Sequence, residues 1–168
     1  MIPPSVPPGV FRPEVEAALG VSVGRVEGVL GPVDGLAIGS ATVELDRAAA
    51  EAWPGRSTVQ LPDDDLLGAR CRVVESVADQ PALVLLEPST EGRLAASLAR
   101  NGEGPIALYL LVPARTIDRF RVVAPASGVH LSRPASGPFG RAVLVLDAAA
   151  WGPHVMVAAA AARGTIAP

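Results

Sequence analysis

The sequence predicts an α+β fold in which two βαβββ modules lie side by side and form an open, cup-shaped mixed sheet. Two observations predict it. A chain of 168 residues, 49% of them hydrophobic, is long enough to fill one substantial core. An order of apolar strand, helix and three short strands begins at Val33 and recurs from Pro105. In both stretches Gly, Pro and Asp separate the short strands.

In the first stretch VDGLAIGSATV reads as a strand and its exit, and ELDRAAAEAW has helical composition. STVQL, ARCRVVES and PALVLLEP then read as strands. STEGRLAASLARNGEG reads as a connecting helix, with Ser89 or Thr90 as its cap and Gly102 at its end. In the second stretch PIALYLLVPA is a strand and TIDRFRVVA a helix, followed by GVHLS, RAVLVLD and PHVMVAAA as strands. Upstream, Pro3, Pro4, Pro7 and Pro8 make an extended arm, and Pro13 to Leu19 a short helix with Pro13 in its first turn. The expected division is an N-terminal region 1–32, a domain 33–160 (module one 33–88, linker helix 89–104, module two 105–160) and a tail 161–168. A sheet module of this kind has one half-buried face, so two of them can curl around a common hollow, the natural ligand site.

Composition narrows the function. A net charge of -3 and 4% aromatic residues provide neither a basic stripe for phosphates nor a stacking surface, which argues against nucleic acid. Cys71 is the only cysteine, so no intrachain disulfide forms, and a thiol between two arginines reads as a small buried strand residue. The N-terminus has no basic segment followed by an apolar one, and the apolar C-terminal stretch is broken by Asp147, Gly152, Pro153 and His154. A soluble, cytoplasmic protein that does not enter membranes is expected. No Gly-rich phosphate loop, zinc-ligand spacing or nucleophile elbow is present. Asp63, Asp64 and Asp65 follow Pro62 and read as a turn, since calcium loops space their ligands at alternate positions.

VLLEPSTEGRLAASLARNGEG resembles a segment of the vicinal oxygen chelate superfamily, and of methylmalonyl-CoA epimerases in particular: a strand ending in Leu-Glu-Pro, a helix, and a Gly-Glu-Gly turn before the next strand. IDRFRVVAPASGVHLSRPASGPFGRAVLVL is similar to that family's helix, Gly-Val-x-Leu strand and Gly-x-x-Gly-Arg stretch, and VDGLAIGSATVELDRAAAEAW to its opening strand and helix. The resemblance covers about residues 33 to 160 and implies the glyoxalase-like cup. It also implies a divalent ion held by one side chain on each of four strands, acting as a Lewis acid toward an enolate. The matching positions here are Gly35, Val84, Ala107 and Met156, none of which can hold a hard cation. The expected cofactor is therefore none, and the family's own proton abstraction is not expected.

Strand alternation adds Val33, Ala37, Ala82, Leu86, Tyr109, Leu111, His154 and Ala158 to the inward face. Ligand contacts are thus expected from Val33, Gly35, Ala37, Val84, Leu86, Ala107, Leu111 and Met156. Arg72 joins them if the parity of its strand turns it and Arg70 inward, where a guanidinium clamps a carboxylate or phosphate; the opposite parity leaves both solvated. Tyr109 and His154 are the candidate catalytic residues, one donating a hydrogen bond to a ligand carbonyl and the other acting as acid or base. The competing reading has the Tyr109 ring packing and His154 facing solvent.

Three functions follow. One is a metal-independent enzyme that folds an apolar acyl- or polyketide-like molecule and assists isomerisation or cyclisation. A second is a non-catalytic binding or resistance protein of the bleomycin-resistance type. The third is an interaction module whose cup is filled by its own side chains. A homodimer is expected from the resemblance.

Overall fold

The computed structural model describes residues 24–52, 55–74, 81–147 and 152–160. The Pro-rich arm, the helix expected at 13–19 and the tail lie outside the described residues. Four helices are described: α1 (Gly24–Leu30), α2 (Leu45–Ala52), α3 (Arg93–Asn101) and α4 (Ala114–Val123). The strands are β1 (Gly35–Ala41), β2 (Thr58–Asp64), β3 (Ala69–Val74), β4 (Ala82–Pro88), β5 (Gly104–Val112), β6 (Ala135–Gly137), β7 (Gly140–Leu144) and β8 (His154–Ala159). They form one eight-stranded sheet in the order β2-β3-β4-β1-β5-β8-β7-β6.

Each half repeats one arrangement. The first strand of a half pairs parallel with its last, β1 with β4 and β5 with β8, and the middle strands continue antiparallel to the edge. The halves join where β1 and β5 run antiparallel. At the far edges, the Asp65 N–H donates to the Ser136 carbonyl at 3.0 Å, bringing β2 and β6 together and nearly closing the cup.

The strands separate two apolar layers because their side chains alternate in direction. On the convex side Leu108, Leu110 and Val112 of β5 and Val155 and Val157 of β8 pack under Val26 and Leu30 of α1 and Ile117 and Phe120 of α4. Ile117, Phe120 and Ala124 recur at helical spacing, which gives α4 its buried stripe. On the concave side Tyr109, Leu86, Met156, Leu144, Leu67, Leu94 and Phe139 form a second cluster. Fully burying a large apolar side chain contributes about 1.5–3 kcal/mol, so both layers stabilise the fold.

Two elements differ from the expectation. GVHLS is not a regular strand: it holds a single bridge, Leu131 to Val145, and the outer edge of this half of the sheet goes to Ala135–Gly137. A 3-10 turn at Pro125–Ser127 and a left-handed Gly128 (φ 69°) turn Val129 into the convex core. The Asp147 carboxylate then takes the His130 N–H at 2.7 Å, in place of a strand partner. α3 begins at Arg93 after Gly92, with no side-chain cap from Ser89 or Thr90. The Leu67 carbonyl accepts the Leu94 N–H at 3.0 Å, so a neighbouring loop satisfies the helix start. No helix among the described residues is long and apolar enough to cross a membrane.

Candidate functional site

The sheet register arranges the concave face in rows. One row runs Val73, Val84, Gly39, Ala107 and His154 across β3, β4, β1, β5 and β8. The next runs Ala82, Ala37, Tyr109, Met156 and Leu144. A third joins Gly35, Leu111, Ala158 and Ala142. Of the four positions matched to metal ligands, Val84 and Ala107 share a row, whereas Met156 and Gly35 lie one and two rows away. The β1 residue facing Val84 and Ala107 is Gly39, not Gly35.

These residues do not fit a divalent ion. Gly39, Val84 and Ala107 have no donor atom, and the row's one donor, His154, places Nε2 3.0 Å from Ser97 Oγ. Among the described residues no group of three or more His, Cys, Asp or Glu side chains could hold a metal. The row also has little room: a Cβ at Gly39 would stand 2.7 Å from Leu86 Cδ1, 3.0 Å from Ala107 Cβ and 3.1 Å from Tyr109 Cε2.

Two polar pairs sit inside this apolar face. The Tyr109 hydroxyl donates to Asp64 Oδ2 at 2.8 Å, and both residues are fully buried. Asp64 Oδ1 accepts the N–H groups of Leu66 and Leu67, each at 3.0 Å, so the carboxylate also organises the turn that brings Leu67 into the cup. Burial raises the Asp64 pKa above the usual carboxylate range, although these hydrogen bonds oppose the shift. Burial, with the Asp64 carboxylate next in size, raises the Tyr109 pKa well above its ordinary value. In the second pair His154 is buried against Ser97, and desolvation, with a smaller contribution from the Arg93 charge, lowers its pKa to about 4. At neutral pH it is therefore the uncharged imidazole.

The structure brings Gly35, Ala37, Val84, Leu86, Ala107, Tyr109, Leu111, His154 and Met156 to the concave face, and moves two candidates off it. Val33 precedes β1 and packs in the convex layer with Leu36, since the chain has not yet entered the strand's alternation. In β3 it is Ala69, Cys71 and Val73 that face the cup, so Arg70 and Arg72 face outward. Arg72 pairs with Asp46 of α2 at 2.7 Å, and Arg70 with Glu87. Arg72 is thus not a ligand clamp within the cup. Arg72→Ala is expected to lower stability by less than about 1 kcal/mol, as for a surface ion pair, in a urea titration. A loss above about 2 kcal/mol would contradict this placement. Cys71 is buried, and desolvation raises its thiol pKa far above the ordinary value, which suits an inert core residue.

Sequence reasoning missed Asp64, Ser97 and Phe139. Asp63, Asp64 and Asp65 read as a turn in the sequence, but Asp63 and Asp64 end β2 and only Asp65 enters the turn, and nothing in the letters distinguishes the one that points inward. Ser97 lies on the same helix face as Leu94, a helical-spacing signal that could have identified it.

No family model matches the sequence, and no curated protein matches it. Solved structures do. The methylmalonyl-CoA epimerase of Mycobacterium tuberculosis superposes with a TM-score of 0.65 at 23% identity, over 77% of this chain and 89% of that one. The fold is that of the vicinal oxygen chelate proteins. The Streptomyces coelicolor epimerase in complex with 2-nitronate-propionyl-CoA matches with a TM-score of 0.58 at 24% identity, over 75% of this chain and 93% of that one. A hypothetical protein from Bacillus halodurans C-125 matches with a TM-score of 0.59 at 18% identity, over 74% and 92% of the two chains. The vicinal-oxygen-chelate scaffold is thus present, with Val84, Gly39 and Ala107 in one row of its concave face.

Proposed function

We propose that this chain is a metal-independent glyoxalase-fold protein that binds an apolar small molecule in its cup without transforming it, as a sequestration or carrier protein does. The observation that carries this reading is the row Val84, Gly39, Ala107, which offers no side-chain donor to an ion. Epimerase chemistry needs a Lewis acid to lower the barrier to removing a weakly acidic α-proton, and the side chains of Val84, Gly39 and Ala107 could not ligate one. The apolar lining suits a ligand of low polarity, with shape and burial supplying the affinity.

A second reading keeps the cup as a metal-free isomerase or cyclase acting on an acyl- or polyketide-like substrate. It is favoured by Tyr109 and His154 lying on one face of adjacent strands, in neighbouring rows. Against it, the Tyr109 proton is committed to Asp64, and an imidazole with a pKa of about 4 is a weak base at neutral pH. Binding is therefore the better-supported function. We place the protein in the cytoplasm as a homodimer, which light scattering of the full chain would test.

The decisive experiment has two parts. The first is elemental analysis of untagged protein before and after incubation with cobalt, manganese and zinc. The second is incubation with methylmalonyl-CoA in D2O, following deuterium entry at the α-carbon. No stoichiometric metal and no exchange are expected. One equivalent of retained ion, or exchange above the protein-free rate, would sink the proposal.

A further inference from the structure

The two halves of the fold share a helix motif, Leu45-Asp46-Arg47 in α2 and Ile117-Asp118-Arg119 in α4. Outside the cup, each arginine lines a cleft where the first strand of one half meets that of the other. Arg47 shares its cleft with Ala41, at the end of β1, and with Gly104, its partner at the start of β5. Arg119 shares a second cleft, of about 480 Å³, with Pro113 after β5 and Pro32 ahead of β1. The first cleft carries its own anion. Glu103 Oε1 accepts the Thr42 hydroxyl at 2.7 Å, the Val43 N–H at 2.8 Å and Arg47 Nη2 at 3.3 Å, and Glu44 and Glu51 also pair with Arg47.

The second cleft has the cation without the anion. Gly31 and Pro32 take the place of Glu103: a Cβ at Gly31 would stand 3.5 Å from Arg119 Nη2. By the shared motif, Thr116 and Val123 take the places of Glu44 and Glu51, and Asp118 pairs with Arg141 at 2.6 Å. Arg119 Nη2 donates to the Leu30 carbonyl at 3.1 Å, which holds the guanidinium at the wall and leaves it further N–H donors. Arg115, one turn earlier on α4, brings a second guanidinium to the same cleft. Among the described residues neither arginine has a carboxylate within ion-pair distance. Asp34 is the acid in the lining, so two positive charges face one negative, and Leu30, Pro32 and Pro113 add apolar wall.

We propose that this outer cleft binds a small organic molecule with a single carboxylate and an apolar body. The ligand carboxylate does for Arg119 and Arg115 what the Glu103 side chain does for Arg47, and its body lies against Leu30, Pro32 and Pro113. Asp34 disfavours a phosphate dianion by like-charge repulsion and leaves room for one negative charge. The site lies outside the cup, so it goes beyond the binding function proposed above and does not depend on it.

The test titrates the full, isotope-labelled chain with benzoate and, separately, with inorganic phosphate, following backbone amide and arginine Nε resonances. Expected is saturable benzoate binding with shifts concentrated in residues 30–34 and 113–119. Binding should be at least about 10-fold weaker in Arg115→Gln and in Arg119→Gln, since each loses a charge-assisted hydrogen bond. Arg47→Gln should bind as the natural chain does, because Glu103 already fills its cleft. No saturation by benzoate, or undiminished affinity in both Arg115→Gln and Arg119→Gln, would overturn the proposal. Phosphate binding as tight as benzoate would overturn the carboxylate assignment. If a variant does not fold, the shift map of the natural chain decides alone. Shifts centred on Tyr109 and His154 would support the cup as the ligand site and sink this one, so the two proposals fall separately.

Discussion

Gly39→Val is expected to destabilise the protein by about 3 kcal/mol, because it forces a branched side chain into a crowded point of the cup. Even a single methyl at Gly39 meets Leu86 Cδ1 at 2.7 Å, Ala107 Cβ at 3.0 Å and Tyr109 Cε2 at 3.1 Å. The Leu86 methyl is the end of a flexible side chain and can turn aside. The Ala107 Cβ moves only with its backbone, and the Tyr109 ring is tethered by its hydroxyl to Asp64. Gly39→Ala relieves some unfolded-chain entropy and should cost less, about 1–2 kcal/mol. For a domain of this size a 3 kcal/mol loss corresponds to a fall in Tm of about 6–12 °C. Chemical denaturation of both variants checks this, with Ser40→Ala as a control on the half-buried neighbour that points the other way. Equal stability of Gly39→Val and the natural chain would mean that the cup is an open hollow, and the case against an ion at this row would lose its steric half.

Much of this arrangement is legible in the letters. The alternation in PIALYLLVPA separates Ala107, Tyr109 and Leu111 from Leu108 and Leu110, and the structure sends these sets to opposite faces of β5. Strand order within each half follows from the repeat, since βαβββ segments of similar length make similar sheets. Register is less legible. A strand of six or seven residues has no internal mark of which residue faces which, so Gly35 rather than Gly39 was matched to Val84 and Ala107. Parity in β3 is undetermined by the letters for a related reason: ARCRVV alternates cleanly, but which set faces the core depends on a partner strand. α1 went unrecognised because GRVEGVL is only seven residues long, with glycine at its start and middle, and is held by α4 rather than by its own propensity. The inward turn of Asp64 and the reach of Phe139 across the cup depend on contacts between distant segments, which no local pattern records.

Stability should also fall steeply as pH drops from about 6.5 to about 4, and His154 should account for about 3 kcal/mol of that fall. Its imidazole is buried at the start of β8, and burial lowers its pKa from 6.5 to about 4. In the unfolded chain the same ring protonates near its ordinary value, so between these two limits the unfolded state binds more protons than the folded one. The contribution is therefore fully present above pH 6.5 and is lost as pH falls toward 4, at about 1.36 kcal/mol per pH unit. Asp64 acts in the opposite sense. Its folded pKa is raised, chiefly by burial, so protonation relieves a desolvation cost on acidification and partly masks the His154 slope. The carboxylates of Glu103 and Asp147 are held below their ordinary values, mainly by hydrogen bonds from the Val43 N–H and from His130, and they lose stability only at lower pH. A difference measurement isolates the histidine: urea unfolding of the natural chain and of His154→Gln at intervals from pH 7.5 to 4, comparing slopes rather than absolute values. The glutamine variant keeps a hydrogen-bonding group near Ser97 but has no proton to gain, so its curve should be flatter across this window. Parallel curves would mean that His154 already takes up its proton in the folded state from water inside the cup. Gly39 and His154 flank Ala107 in a single row, so the two experiments test packing and proton uptake at neighbouring points of the same face.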